Sequence, residues 1–178
     1  MTEPWDPLDH VPEEFPRTED GTKWAERLWL NVPGPFYTGE TDTCWTGRLS
    51  APRHVLYGGP RLAEFVYRQP KTPEEVDCLV DAAWDDPLDG YACDGDSRWT
   101  PDAVREWWRG RNEVVEHVTA LARRWEADGA DPHDLDAAGG ARDFLAYLAG
   151  DLETDLRAYL FRLEHGRYPV AGDRLPML

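Results

Sequence analysis

The sequence is poor in lysine and contains no long apolar run, and the second shortage argues against a membrane-spanning protein. Of the 19 basic residues, only Lys23 and Lys71 are lysines. The excess of arginine, together with abundant alanine, glycine, aspartate and proline, is typical of a GC-rich genome of the actinobacterial type. No apolar stretch approaches the ~20 residues that span a membrane, and the acidic N-terminus does not resemble a signal peptide. We therefore expect a soluble, cytoplasmic protein that does not bind membranes.

Cysteine is also scarce, and the spacing of the three cysteines argues against a metal centre. Cys44, Cys78 and Cys93 are far apart and form no CxxC pair. A structural zinc site usually needs four Cys or His ligands at close spacing, and an all-cysteine iron–sulfur cluster needs four thiolates. We expect three reduced thiols, as in a cytosolic protein, with no metal and no cofactor.

Positive charge is outweighed by negative charge, and the formal net charge is −16 at pH 7. Nonspecific affinity for nucleic acids depends on lysine and arginine side chains that neutralise phosphates. The balance therefore argues against general nucleic-acid binding. An acidic surface is compatible with solubility alone, with mimicry of nucleic acid, or with a basic protein partner.

The length of 178 residues fits a single domain that buries roughly 70% of the surface of its unfolded chain. Nine tryptophans, seven tyrosines and five phenylalanines predict a core rich in aromatic rings. We expect an acidic, proline-rich arm over residues 1–20, one α+β domain over residues 21–168, and an irregular tail over residues 169–178.

The first half of the chain contains the strand signals. Residues 28–32 and, more weakly, residues 43–49 predict two strands. The best hairpin joins residues 53–57 to residues 62–68 through the turn formers Gly58-Gly59-Pro60. These signals predict a small, mainly antiparallel sheet.

The second half predicts about three helices that cover this sheet. Thr72 and Thr100 each precede a proline and an acidic residue, the pattern of an N-cap followed by proline at the first helical position. Apolar residues then recur at helical spacing after each cap. A third helix is predicted to run unbroken over residues 141–165, because the leucine phase continues through Gly150.

Charge is segregated along the chain. Residues 48–71 contain five basic residues against Glu64 alone, whereas residues 74–102 contain ten acidic residues against Arg98 alone. One interpretation is that the basic residues pair with helix carboxylates across the fold. The other is an anion-binding site formed by Arg48, Arg53 and His54.

The segment Phe36–Tyr57 contains the candidate catalytic and ligand-binding residues. Asp42, Cys44 and His54 are the residue types of an orienting acid, a thiol nucleophile and a base, although a buried, inert thiol is the simpler interpretation. The candidate ligands for an anionic molecule are Thr43, Arg48, Arg53, His54 and Tyr57.

Two functional hypotheses follow. The first is a non-catalytic, acidic binding protein that acts as a regulator or inhibitor of a basic protein partner. The alternative is an enzyme or small-molecule binder that acts on an anionic ligand at the segment Phe36–Tyr57. An exposed acidic and aromatic face would favour the first hypothesis, and convergence of the candidate side chains in a concave pocket would favour the second.

Overall fold

The computed structural model describes residues 5–15 and 21–178, and it confirms the α+β class and the placement of the strands in the first half. Helices and short strands occur in the following order: α1 (Thr22–Ala25), β1 (Tyr37–Thr38), α2 (Gly47–Ser50), β2 (Val55–Tyr57), β3 (Glu64–Val66), α3 (Pro73–Asp85), β4 (Tyr91–Ala92), α4 (Pro101–Trp125), α5 (Pro132–Ala149) and α6 (Leu152–His165). Short 3₁₀ turns lie at Pro7–His10, Pro60–Leu62 and Gly95–Ser97.

The predicted hairpin is confirmed as β2 and β3, which pair in antiparallel orientation with Leu56 opposite Phe65. A second antiparallel ladder joins β1 to β4, so the strands form two small sheets and not one. Leu56 and Phe65 pack into the core beneath α4, α5 and α6, whereas Val55 and Val66 pack into a second core beneath α3. The hairpin is thus the middle of three layers, which explains why it is buried on both faces.

The strands predicted over residues 28–32 and 43–49 are wrong. Residues 28–32 form turns because the buried side chain of Asn31 replaces a strand ladder. Its Nδ2 donates to the Thr38 carbonyl at 3.0 Å, and its Oδ1 accepts from the Val66 N–H at 2.9 Å. Residues 43–49 form turns and the start of α2.

The helices α3 and α4 begin at the predicted caps. The Thr72 hydroxyl accepts a hydrogen bond from the Glu75 N–H, and the Thr100 hydroxyl accepts one from the Ala103 N–H. Each cap satisfies one of the backbone donors that a helix N-terminus leaves free. Both helices turn an apolar face toward the hairpin.

The single helix predicted over residues 141–165 is wrong. Gly150 adopts φ −125° and ψ −105°, which lies outside the helical region and separates α5 from α6. The leucine phase continues across the break because both helices bury apolar residues in the same core. α5 also begins earlier than predicted, because the Asp131 side chain caps it by accepting from the Asp134 N–H at 2.9 Å.

The two ends of the chain pack against the helices. Of the predicted arm, residues 1–4 and 16–20 lie outside the described residues. In between, Asp6 caps the 3₁₀ turn, and Phe15 is buried with its ring edge against Phe36. The tail, residues 169–178, contains a turn but no helix or strand, and Arg157 of α6 donates to its backbone carbonyls.

Candidate functional site

Arg48 of α2 is buried, with 6% of its side chain exposed. Its Nε donates to Asp136 Oδ2 of α5 at 2.8 Å, and its Nη2 donates to the same carboxylate. Its Nη1 donates to the carbonyls of Pro52 and Val55 at 2.8 and 3.1 Å. The guanidinium therefore joins α2, the hairpin and α5, and its donors are used inside the protein.

His54 lies at the start of the hairpin and is also buried. Its Nδ1 is 2.9 Å from the Arg68 carbonyl, and since a carbonyl only accepts, Nδ1 carries the proton. Its Nε2 faces Glu75 Oε1 of α3 at 4.0 Å. Burial lowers the pKa of His54, so the ring favours its neutral form. Arg53, the preceding residue, is exposed.

Asp42 and Cys44 lie in the turn that follows β1. The Asp42 carboxylate accepts from the Cys44 backbone N–H at 2.8 Å, an Asx-type bond that fixes the turn. Cys44 and Thr43 are exposed. Among the described residues, no hydrogen bond connects Asp42 or Cys44 to His54, so the structure brings together two members of the candidate set and not the third.

Tyr57 is the last residue of β2, and it contacts Trp45 in the turn that follows β1. Its hydroxyl donates to the Trp45 carbonyl at 2.7 Å, and its ring stacks on the Trp45 ring with centroids 4.6 Å apart. Trp45 has a φ of 64°, in the left-handed region that non-glycine residues rarely adopt. Stacking and the hydrogen bond hold Trp45 in this conformation.

A buried network around Glu64 of β3 organises the segment, and the sequence analysis missed it. Glu64 is fully buried; its carboxyl group accepts from the Tyr91 hydroxyl at 2.5 Å and from the Gly47 N–H at 2.7 Å. Its backbone is bound as well, by the hydroxyls of Thr38 and Thr41 at 2.7 and 2.8 Å. Burial raises the pKa of Glu64 to about 7, although the bonds from Tyr91 and Gly47 oppose this rise.

A sequence signal for this network did exist. Glu64 is the only acidic residue among residues 48–71, and it stands in the apolar run of a predicted strand. A carboxylate at such a position either faces solvent or has dedicated hydrogen-bond donors. Its donors come from a later strand and from α2, which local sequence patterns do not reveal.

Three of the five basic residues of the segment 48–71 pair with carboxylates on α5 and α6. Arg48 pairs with Asp136, as described above, and Arg68 Nη2 lies 3.1 Å from Asp143 Oδ2 on α5. Lys71 Nζ lies 2.8 Å from Asp155 Oδ2 on α6. The expected pairing of these cations with helix carboxylates is therefore confirmed for Arg48, Arg68 and Lys71. We call Asp136, Asp143 and Asp155 the paired carboxylates.

The outward side of α3 presents acidic and aromatic residues together. We define the α3 outer face as Glu74, Asp77, Asp81, Trp84 and Asp85, with Leu88 just beyond the helix and Leu49 of α2 beside it. The exposed fractions of Trp84, Leu88 and Leu49 are 61%, 55% and 76%. Ser50 Oγ donates to Asp85 Oδ2 at 2.7 Å, which holds α2 next to this face.

The α3 outer face has charge of a single sign. No lysine or arginine occurs in residues 74–97, and within the part of the chain that the structure describes no ion pair involves Asp77, Asp81 or Asp85. The exposed side of α4 differs, because acidic and basic residues alternate along it. Trp84 continues the helical spacing of the buried Val76 and Val80, so the sequence pattern alone does not predict its exposure, which depends on where α3 lies in the fold.

No family model, curated protein or solved structure matches the chain. Among the described helices, none combines the length and the apolar composition that a membrane span requires. The arguments for function therefore rest on contacts, burial and charge within the described residues.

Proposed function

We propose that the protein is a non-catalytic regulator or inhibitor that binds a basic protein partner through the α3 outer face. The observation that carries this proposal is the exposed Trp84 among carboxylates that have no cationic partner in the described part of the chain. Tryptophan is enriched at the energetic centres of protein interfaces. Surrounding charge of one sign steers an oppositely charged partner and fixes its orientation.

The chemistry of the face defines the kind of partner. Asp81 and Asp85 lie within one helical turn of Trp84, so an arginine stacked on the indole ring can also donate to a carboxylate. Leu88 and Leu49 extend the apolar part of the surface. The matching surface is an amphipathic segment with lysine or arginine around an aliphatic or aromatic centre.

The enzyme alternative has less support from the contacts. Arg48 and His54 use their donors inside the protein, and the Asp42 carboxylate is bound to a backbone N–H. Two cavities in the described part of the chain are lined by other residues. An anionic ligand at the segment Phe36–Tyr57 therefore remains the second candidate.

Binding to a defined basic probe tests the proposal. A fluorescein-labelled amphipathic peptide of ~15 residues, with arginine and lysine around leucine, imitates the expected partner helix. We expect the triple variant D77N/D81N/D85N to weaken binding about tenfold, or ~1.4 kcal/mol, and Trp84→Ala to weaken it by at least about fivefold. Fluorescence anisotropy at low and at physiological salt measures both effects.

The matched control is the triple variant E106Q/E113Q/E116Q on α4, which removes the same charge from exposed positions. We expect it to change the affinity less than twofold, because its carboxylates lie among arginines. If the two triple variants weaken binding equally, the peptide responds to net charge alone and the α3 outer face is not a specific site. An unchanged affinity for Trp84→Ala would also contradict the proposal.

A further inference from the structure

Arg27, which follows α1, is a half-buried cation whose hydrogen-bond donors are all unpaired. No hydrogen bond or ion pair joins its side chain to any residue within 5–15 or 21–178. Every other buried or half-buried arginine in that part of the chain donates at least one hydrogen bond, among them Arg48, Arg111 and Arg157. Folded proteins leave few such donors unpaired, so an unpaired cation in a chain of net charge −16 needs an explanation.

Two indole rings hold the Arg27 guanidinium in place. Its Cζ atom lies 3.9 Å from the ring centroid of Trp24 and 4.4 Å from that of Trp99, and the two rings are nearly perpendicular, at 87°. These cation–π contacts stabilise the charge but supply no hydrogen-bond acceptor. Because the rings already restrict this long side chain, it loses little further freedom when it binds an anion.

The two ends of the guanidinium have different surroundings. Nε is buried, so it faces the protein and is out of reach of a ligand. Nη1 and Nη2 also lack a partner among the described residues, but they remain accessible to solvent. This outer edge of Arg27 presents two parallel N–H donors, the geometry that matches two oxygens of a carboxylate or a phosphate.

A carboxylate next to this cluster is already bound to other groups. Asp94 accepts from the Tyr37 hydroxyl through Oδ1 at 2.7 Å and from Arg98 Nε through Oδ2 at 2.8 Å. Burial lowers the pKa of Arg27, as expected for a charge without a carboxylate beside it, although an arginine stays protonated at neutral pH. The fold therefore leaves the charge of Arg27 available to an external anion.

The neighbouring charges do not neutralise this cation. Lys23, one helical turn earlier, donates to the Tyr91 carbonyl at 3.1 Å, and within the described residues it forms no ion pair. Glu26 is exposed and forms no ion pair with Arg27. Two cations thus lie close together in a protein whose other half-buried cations are mostly paired with carboxylates.

We propose that the outer edge of Arg27 binds the carboxylate or phosphate group of a small anionic molecule, while Trp24 and Trp99 hold the guanidinium in position. Both groups present two oxygens side by side, which is the shared chemistry that the site recognises. The site contains no residue of the α3 outer face, so a failure of either proposal leaves the other standing.

Three probes with the same phenyl ring test the assignment. Benzoate has a carboxylate, phenyl phosphate has a phosphate, and benzamide is an uncharged analogue of benzoate. We expect one or both anions to bind with a dissociation constant on the order of 1–10 mM, and benzamide to bind at least about tenfold more weakly. The better anion identifies the group that the site prefers.

Titrations of the full-length chain at constant ionic strength, followed by ¹H–¹⁵N NMR of the tryptophan indole N–H groups, measure all three affinities. The signals of Trp24 and Trp99 are expected to move most, because their rings contact the guanidinium. Larger shifts at the other tryptophans would place the anion elsewhere and overturn the proposal.

Two variants and a control locate the binding. Arg27→Gln removes the charge, so we expect at least about tenfold weaker binding of the anions. Arg27→Lys keeps the charge but lacks the planar pair of donors, and we expect about threefold to fivefold weaker binding. Arg109→Gln removes the same charge from an exposed position on α4 and should change the affinity less than twofold.

Circular dichroism checks that each variant is folded, and Arg27→Lys keeps the test informative if Arg27→Gln is not. An absence of saturable binding by both anions, or an equal affinity for benzamide, would overturn the proposal. Equal weakening by Arg27→Gln and Arg109→Gln would show that the probes respond to net charge alone. Unchanged binding in a folded Arg27→Gln variant would exclude Arg27 as the ligand site.

Discussion

Aspartates occur in two groups that differ in whether they form ion pairs. The paired carboxylates lie on α5 and α6, whereas the aspartates of the α3 outer face form no ion pair within the described residues. Asp136, Asp143 and Asp155 each meet a cation from residues 48–71. Asp77 and Asp81 lie on α3, on the other side of the same hairpin, and within the described residues they form no ion pair. Three basic side chains of residues 48–71 pair with α5 and α6, and the proposed partner site rests on the α3 carboxylates that have no ion pair within the described residues.

The pairs also differ among themselves in burial. Arg48 is almost fully buried, Arg68 is partly buried and stacks over the Tyr147 ring at 4.6 Å, and Lys71 is exposed. Exposed ion pairs contribute at most about 1 kcal/mol, whereas removal of one partner from a buried pair costs about 3–5 kcal/mol. Asp136 itself is 59% exposed, so what distinguishes Arg48 from the other two cations is its burial and its additional bonds to two backbone carbonyls.

The largest effect is expected for Arg48→Ala. The substitution removes the Nη1 donor from the carbonyls of Val55 and Pro52, of which Pro52 keeps only a long bond of 3.4 Å from the Tyr67 hydroxyl, and it opens a cavity between α2 and α5. We expect the free energy of unfolding to fall by about 2–4 kcal/mol, from lost hydrogen bonds to the backbone and lost packing, because Asp136 is 59% exposed and stays solvated. Urea denaturation measures the loss, and Arg53→Ala, at the exposed neighbouring arginine, serves as the control with a change within about 0.5 kcal/mol. A loss below about 1 kcal/mol for Arg48→Ala would show that the pair is not structural.

The next effect concerns Glu64, which is buried without any ion pair in the described residues. Its pKa is about 7 in the folded protein against an ordinary value of 4.5, so the folded state holds more protons between these pH values. The free energy of unfolding therefore falls as pH rises from about 4.5 to 7. Above this range the group is ionised in both the folded and the unfolded state, so it adds no further dependence on pH. With 1.36 kcal/mol per pKa unit, the 2.5-unit difference corresponds to roughly 3 kcal/mol.

Glu64→Gln isolates this dependence on pH. An amide of the same shape still accepts from Gly47 but does not ionise, so we expect the difference in unfolding free energy between the variant and the wild type to grow with pH. Subtracting the wild type also cancels the contribution of His54, because both proteins contain this residue. The lowered pKa of His54 makes stability rise with pH below pH ~6.5, which is opposite to the effect of Glu64. A difference that is constant between pH 4.5 and 7 would contradict the raised pKa.

The sequence was sufficient for features that depend on a few adjacent residues. The caps at Thr72 and Thr100 and the glycine turn of the hairpin are local, and all three are confirmed. The cap at Asp131-Pro132 has the same form, but the spacing of the leucines alone predicts a later start for this helix. The break at Gly150 was not predicted, because the spacing of apolar residues does not change where the helix axis changes direction.

Features that depend on long-range neighbours could not be predicted. The Asn31 side chain forms hydrogen bonds with two distant segments in place of a strand ladder. The Glu64 carboxyl group accepts hydrogen bonds from donors on α2 and β4. Charge segregation predicted that the cations of residues 48–71 would pair. It could not show that their partners lie on α5 and α6 and not on the more acidic α3, because that choice follows from the layer order.

The smallest effect on stability, and the sharpest test of the comparison, comes from D77N/D81N/D85N. These carboxylates form no ion pair within residues 5–15 and 21–178, and Asp85 lies at the C-terminus of α3, where the helix dipole disfavours negative charge. Asparagine at position 85 can still accept from Ser50. We therefore expect the free energy of unfolding to stay within about 0.5 kcal/mol of the wild type or to rise slightly.

Urea denaturation of this variant, alongside D136N/D143N, separates the two groups of carboxylates. The paired double variant should lose stability, since it weakens the bonds to Arg48 and Arg68, whereas the α3 variant should lose affinity for a basic peptide and keep its stability. A loss of more than about 1 kcal/mol in the α3 variant would mean that its carboxylates have structural roles. The face would then lose the feature that distinguishes it, and the proposed partner site would lose its main support.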